Sequence, residues 1–527
     1  MTLSQAFVRL TPMKKGSFFW ILLAVVSIFL QFYQLGERSL WEDEAQIALK
    51  TDWGLKEILH FQKNVSYNII LSFWSHFGKD EFWLRIPSAL FALFTLVALY
   101  ELGKKLFSRE VALLATGLLA TSPFFLLESR QVKMYTLVLF LSLTSIYFLM
   151  LFFENGRRGS LLSHFGLSFM AFLTHYMFIP LYLVQLFFVF TFFSGKGRTY
   201  VKRYFLTLCA ISPFFLISFL NLFTHLEALQ WFYVHPKSPE TLLFPGGVFG
   251  KVAFVFYLFL IGPTTFPWKW GWVLAGCFFS IPPLLYSLKG FSNRSLKFIS
   301  LAFVIPVLLL SSLRNAQPHY SLVSLPFYVL LIATGLYSFQ PLGRALFLAG
   351  LILVNAYGLA NYFLGHQYLF ITYLEPYREV VGFVQSHFEP GDYLLHTQMN
   401  PSFNYYFYYF YEKRGAGAKL HFMDRNEALH LMDWEEVAKK LPVGTKRIWY
   451  IERSPGQFME NKFLISDAEQ IYRENLDFRS SLDRHFKRVG RWGYLKDPDI
   501  EQKKKFLKKF YMEERIAVSL YSLLDPP

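Results

Sequence analysis

The stretch SFFWILLAVVSIFLQFYQLGERSLWEDEAQIALK, Ser17–Lys50, joins an uncharged apolar run to three consecutive acids, Glu42, Asp43 and Glu44. About 20 residues without charge are enough to cross a bilayer as a helix. Lys14 and Lys15 precede the run as they would in a signal peptide, but it is long and has no clear small-x-small cleavage site, so it reads as a retained span. The acids then stand just beyond a membrane. There a carboxylate serves as a general base or binds a cation; the competing explanation is that acids in a first helical turn favour the helix dipole.

Working outward, the rest of the chain agrees with a membrane setting. Its 527 residues are 54% hydrophobic and 20% aromatic, and only 17% are charged, against about a quarter in a soluble protein. Residues 1–369 hold 28 Lys+Arg against 14 Asp+Glu, and residues 370–527 hold 24 against 23. The net charge of +15 is therefore mostly a property of the apolar half, and fits cytoplasmic loops at anionic headgroups without any nucleic acid partner. Cys209 and Cys277 each sit inside an apolar run, which leaves no disulfide framework and no cysteine metal site.

Apolar runs recur at Ser17–Leu35, Leu84–Tyr100, Val111–Leu127, Met134–Phe153, Leu161–Ser194, Tyr204–Phe223, Val252–Phe266, Gly271–Leu288, Phe298–Leu313, Tyr320–Leu342 and Ala345–Gly365. Basic loops between them, such as Lys104/Lys105/Arg109 and Gly195–Arg203, belong on the cytoplasmic side. Leu161–Ser194 lies between two such loops, so it goes out and back with its turn near Thr174–Pro180. By the same parity Val252–Phe266 is interfacial or re-entrant rather than a span. The expectation is a polytopic α-helical bundle of about eleven crossings, N-terminus inside and C-terminus outside, over residues 1–369. Residues 370–527 read as an extracytoplasmic α/β domain, with strands at Gly391–Thr397, Arg447–Glu452 and Arg515–Leu523 and a helix at Asn426–Leu441. The aromatic run Phe403–Glu412 is expected as a helix on that sheet or on the membrane surface.

Several outer turns then converge. The first outer loop contains Leu55–Gly78, whose apolar spacing suits helices lying along the interface. Its acids would sit at the mouth of the bundle. LLESRQVKMYTL, Leu126–Leu137, places Glu128, Arg130, Lys133 and Tyr135 in one short turn between spans. Arg and Lys there suit phosphate oxygens, or else merely snorkel to the headgroups. His175 and Tyr176 occupy a third turn, as caps or as part of a site, and Arg314, His319 and Tyr320 a fourth. Carboxylates and cations gathered at one mouth suit a reaction on a lipid phosphate.

SLWEDEAQIAL (Ser39–Leu49), DEFWLRIPSALFALFTLVALYELGKKLF (Asp80–Phe107), SRQVKMYTL (Ser129–Leu137), THY (Thr174–Tyr176) and PHYSLVSLPFYVLLIATGL (Pro318–Leu336) resemble, in this order, bacterial polytopic glycosyltransferases of the GT-C superfold. These are relatives of protein O-mannosyltransferases and lipid A aminoarabinose transferases. The resemblance implies transfer of a sugar from a polyprenyl-phosphate donor to an envelope acceptor, a lipopolysaccharide, other glycan or protein, on the outer face of the cytoplasmic membrane, usually with inversion. It makes Asp43 the catalytic base with Glu44 beside it. Lys133 and Arg130 would then grip the lipid phosphate, Arg314 or His319 assist, and Tyr135, His175, Tyr176 and Tyr320 line the sugar or acceptor site. A divalent metal, if one is used, would fall to Asp43, Glu44 and Glu128. Gln131 and Lys133 stand where members of the family often carry an acid and an Arg, and Lys lacks the bidentate fork of Arg. Two rival readings are a lipid or glycan transporter and a non-catalytic GT-C-like scaffold. The glycosyltransferase reading expects Asp43 to face Lys133 across a cavity.

Overall fold

In the computed structural model of the chain, the described residues are 15–61, 64–192, 198–224, 247–290, 293–313, 317–396, 401–407, 441, 444–453, 478–496 and 514–523. The first helices are α1 (Lys15–Phe32), α2 (Glu42–Leu49), α3 (Leu55–Phe61), α4 (Val65–Ser75), α5 (Glu81–Leu106), α6 (Arg109–Ala120), α7 (Pro123–Ser129), α8 (Tyr135–Asn155), α9 (Arg158–Thr174), α10 (Ile179–Phe192) and α11 (Arg198–Thr224). Later helices cover Val248–Leu260, Trp270–Ser287, Arg294–Ser312, Leu325–Tyr337 and Pro341–Leu364. Among the described residues six helices are long and apolar enough to cross a membrane, or seven if α6 and α7, bent by 64°, form one span. Charge parity expects about eleven; the expected out-and-back pair, α9 and α10, forms helices of 17 and 14 residues, which accounts for two of those not in this set.

One expectation of the topology holds in detail. The turn between α9 and α10 falls at His175, whose extended backbone (φ −166°, ψ 141°) breaks the helix. The helix Val248–Leu260 starts beside the end of Arg294–Ser312, where Lys251 Nζ donates to Leu313 O at 2.7 Å. The turn that follows it meets the end of Pro341–Leu364, with Leu369 N donating to Pro263 O at 3.0 Å and Phe266 N to Gln367 Oε1 at 3.3 Å. Both ends of this segment therefore pack against residues that follow the C-terminal ends of other helices of the bundle.

α5 carries most of the site's scaffold. Asp80 caps it by accepting from Trp83 N at 2.9 Å, satisfying one orphan amide of the first turn. Pro87 inside the helix has no N–H for the Trp83 carbonyl; Trp74 Nε1 of α4 donates to that oxygen instead, at 2.9 Å. The two indoles stack, centroids 5.1 Å apart. This fixes α3 and α4 over the end of the bundle, with Leu55, Leu59, Phe73 and Phe77 left exposed, as expected for interfacial helices.

Beyond the bundle a four-stranded sheet has the order β1-β2-β4-β3, with β1 (Asp392–His396) parallel to β2 (Arg447–Arg453). β4 (Glu514–Leu523) runs antiparallel to both β2 and β3 (Phe486–Lys496). β1, β2 and β4 coincide with the strands expected from sequence, whereas β3 was not foreseen. Its sequence FKRVGRWGYLK is broken by glycines and cations, and its register shifts between Arg488 and Gly490. That pattern suits a twisted edge strand and hides its alternation. Of the expected helix Asn426–Leu441 only Leu441 is among the described residues.

The sheet is tied to the bundle through the loop that carries the acids. The described part of the aromatic run lies in a helix, Pro401–Phe407, seated on α2. Tyr406 OH accepts from Leu40 N at 2.6 Å and donates to Glu81 Oε1 at 2.7 Å. On its other side Phe403 meets His396 of β1, centroids 4.7 Å apart. Arg378 of the helix Tyr377–His387 pairs with Glu81 at 3.2 Å and donates to the carbonyls of Gly36 and Glu37.

Candidate functional site

α2 begins after Trp41, and successive residues on it point about 100° apart around the axis. Glu44 therefore turns inward while Asp43 does not. Glu44 Oε2 accepts from Trp41 N at 3.2 Å, the reciprocal half of a capping box. Arg85 of α5 meets the same carboxylate through Nε at 2.8 Å and Nη2 at 2.7 Å. Val132 N adds a fourth donor at 2.7 Å. The remaining Arg85 N–H groups go to the carbonyls of Leu35, Arg38 and Ser39 at 2.8–3.0 Å. One buried fork thus fastens the acid loop, α2, α5 and the α7–α8 turn together.

Asp43 is placed differently. Its Oδ2 accepts from Lys133 Nζ at 2.7 Å, and its side chain is 45% exposed while that of Lys133 is 7% exposed. The pair is in direct contact, closer than the expected arrangement across a cavity. Lys133 is held by its neighbours: its carbonyl accepts from Ser88 Oγ at 2.8 Å, and its ammonium stands 5.0 Å from the centre of the Trp41 ring. Trp41 Nε1 in turn donates to Gln131 Oε1 at 3.2 Å. Gln131 acts as an acceptor that fixes the indole under Lys133.

The polar aromatics from three other segments gather beside this pair. Tyr135 lies 5.8 Å from His175, 5.1 Å from His319 and 6.4 Å from Tyr320, ring centre to ring centre. His175 stacks on Tyr176 at 4.4 Å, and both meet Tyr320, at 5.0 and 5.4 Å. Burial pushes the His175 imidazole down to about 3, with the positive charges of His319 and Lys133 adding to the effect. Its Nδ1 accepts from Met177 N at 3.1 Å, so the neutral ring carries its proton on Nε2.

Of the other expected residues, Glu128 lies close enough to Lys133 and Asp43 to feel their charges. Arg130 is buried, donates to the carbonyls of Leu30 and Tyr33, and lines a neighbouring cavity with Gln131 and Trp41. Arg314 lies outside the described residues. Glu128 is buried at the end of α7. Four donors take up the Glu44 carboxylate, and among the described residues no three His, Cys, Asp or Glu side chains come together in a metal-holding group. Asp43, Glu44 and Glu128 thus do not fit a shared divalent ion.

The fold of the chain has solved counterparts. ArnT from Cupriavidus metallidurans bound to undecaprenyl phosphate matches with a TM-score of 0.59 at 14% identity, over 96% of this chain and 98% of that one. The apo oligosaccharyltransferase of Archaeoglobus fulgidus matches with a TM-score of 0.56 at 10% identity, over 96% and 88%. The chain has the GT-C fold. Residues 65–221 also match the family model of dolichyl-phosphate-mannose-protein mannosyltransferase, a segment of the GT-C bundle that includes Arg85, Lys133, Tyr135, His175 and Tyr176. Comparison with the curated proteins gives no match.

Three contributors escaped the reading of the sequence. Arg85 lies within the R-x-P-S-A-L element, and an Arg one turn into an apolar helix is itself a signal of a buried partner. Trp41 shares the W-x-D-E-A element. Tyr406, more than 300 residues away in sequence, carries no local signal.

Proposed function

We propose that this GT-C protein is a membrane glycosyltransferase that moves a sugar from a polyprenyl-phosphate donor to a hydroxyl or amine of an envelope acceptor. The observation that carries this reading is Asp43: a half-exposed carboxylate with Oδ2 on Lys133, beside a neutral imidazole and three tyrosines. Among the described residues no donor of the protein occupies Oδ1, which leaves that oxygen for the acceptor's proton. As Asp43 takes the proton, the acceptor attacks the anomeric carbon from the face opposite the phosphate. The carbon–oxygen bond to the phosphate breaks, and its electron pair leaves on the polyprenyl phosphate, whose charge Lys133 balances. Inversion follows from that geometry.

Glu44 is the orienting acid, acting through α2 and the α7–α8 turn. His319 stands by Lys133 as the second phosphate residue, and His175, Tyr135, Tyr176 and Tyr320 offer hydrogen bonds to sugar or acceptor. The reaction side is the outer face of the membrane, with the N-terminus cytoplasmic and the sheet outside. Purified protein given polyprenyl-phosphate sugars and envelope acceptors should transfer sugar, and Asp43→Asn should lower the rate by about 10²- to 10⁴-fold, the usual worth of a general base. An unchanged rate would refute the assigned base. Movement of lipid across vesicles without sugar transfer would instead establish a transporter.

A further inference from the structure

A cavity opens beside the Asp43–Lys133 pair, at the end of α1 and of the helix Pro341–Leu364. It encloses about 470 Å³ of empty space, part of it open to solvent, and neither Asp43 nor Lys133 lines it. Its walls include three guanidinium groups and two carboxylates, those of Arg38, Arg85, Arg130, Glu37 and Glu44. Arg85 and Glu44 cancel each other in their fork. Glu37 is exposed at the surface.

Arg38 and Arg130 remain. Both lie over the ring of Tyr362, their Cζ atoms 4.7 and 5.4 Å from its centre. Arg38 also approaches the Tyr368 ring, and Arg130 the Phe363 ring, each at 5.1 Å. Their hydrogen bonds run only to neutral groups: Arg38 to Tyr368 OH and the Tyr362 carbonyl, Arg130 to the carbonyls of Leu30 and Tyr33. Among the described residues neither has a carboxylate within ion-pair distance, and the buried Arg130 Nε has no hydrogen-bond partner in the protein. Two guanidiniums around one cavity without a counter-charge are costly, and an anion relieves that cost. Guanidinium suits a phosphate through paired N–H groups.

The flank of the cavity indicates where such a phosphate comes from. Phe29 of α1, 55% exposed, stacks on Tyr33, and Tyr33 meets Phe363; Leu364 next to it is 70% exposed. Apolar side chains turned out beside a polar, aromatic mouth suit an acyl chain lying along α1 with its headgroup turned inward. We propose that Arg38 and Arg130 bind the phosphate of a membrane lipid at a site separate from the transfer centre. The site does not rest on the sugar-transfer reading.

The full chain, stripped of lipid in detergent, tests this with three probes: phosphatidylglycerol, diacylglycerol and inorganic phosphate. Phosphatidylglycerol should raise the melting temperature and appear as a bound adduct in native mass spectrometry, with diacylglycerol and inorganic phosphate each at least tenfold weaker. Arg38→Gln should weaken the phosphatidylglycerol effect at least tenfold. Arg38→Lys, which keeps the charge without the fork, should fall between the two and serves if Arg38→Gln does not fold. Equal binding of diacylglycerol would overturn the phosphate, and equal binding of inorganic phosphate would overturn the lipid. Undiminished phosphatidylglycerol binding by either folded variant would overturn the arginine site.

Discussion

Asp43 and Glu44 are neighbours in sequence, and each is paired with one cation, yet the pairs differ in kind. Arg85 reaches Glu44 with two N–H groups and spends its other donors on carbonyls, so every polar atom of that pair is satisfied in a buried place. Lys133 reaches Asp43 with one bond, and its carboxylate partner stays half exposed. A point charge on a flexible stem can shift to another anion, whereas a fork held by carbonyls cannot. One pair is built to hold the loop still, and the other to remain available.

Isosteric amides separate these roles. Asp43→Asn keeps an oxygen for Lys133, so the loss of about 10²- to 10⁴-fold in transfer expected of a general base should come without a large change in melting temperature. Glu44→Gln should do the opposite. It leaves Arg85 buried without its counter-charge, at a cost of about 3–5 kcal/mol for a broken buried pair. Thermal denaturation in detergent reads this directly. A Glu44→Gln protein as stable as the parent would erase the distinction between the two acids.

A smaller effect tests how the sheet supports the acid loop. Tyr406→Phe removes the oxygen that joins Leu40 N to Glu81. The orphaned amide and carboxylate should cost about 1–3 kcal/mol, moderated because Arg378 still pairs with Glu81. The melting temperature should fall by less than in Glu44→Gln. An equal or larger fall would mean that the sheet, rather than the Arg85 fork, holds the loop.

Local patterns made much of this legible. The uncharged runs announced the bundle, the basic loops placed the turn at His175, and alternation revealed β1, β2 and β4. Asp43, Lys133, Tyr135, His175, Tyr176, His319 and Tyr320 were picked from separate turns, and the fold draws them together. What escaped depends on tertiary contact. Nothing near Arg130 indicates that its guanidinium turns toward Tyr362 rather than Lys133, and nothing near Phe403–Phe407 names α2 as the surface it covers.

The same contrast between a held and an available charge extends to the sheet, where it predicts the mildest effect. Burial alone would raise the Asp392 carboxyl, but hydrogen bonds from Arg447, Glu389 N and Trp449 Nε1 outweigh it and hold the group below the usual carboxylate range. A carboxyl depressed in the folded state binds its proton more readily when unfolded. Its contribution is therefore full above the unfolded value, near 4, and is lost as pH falls through the folded one. Asp392 and Arg447 pair β1 with β2 in register, so the loss should appear first in the sheet. Asp392→Asn should have a lower melting temperature than the parent at pH 7, and the gap should narrow as the pH is taken below 4. A gap that stays constant with pH would show that Asp392 acts through its shape and hydrogen bonds, and not through its charge.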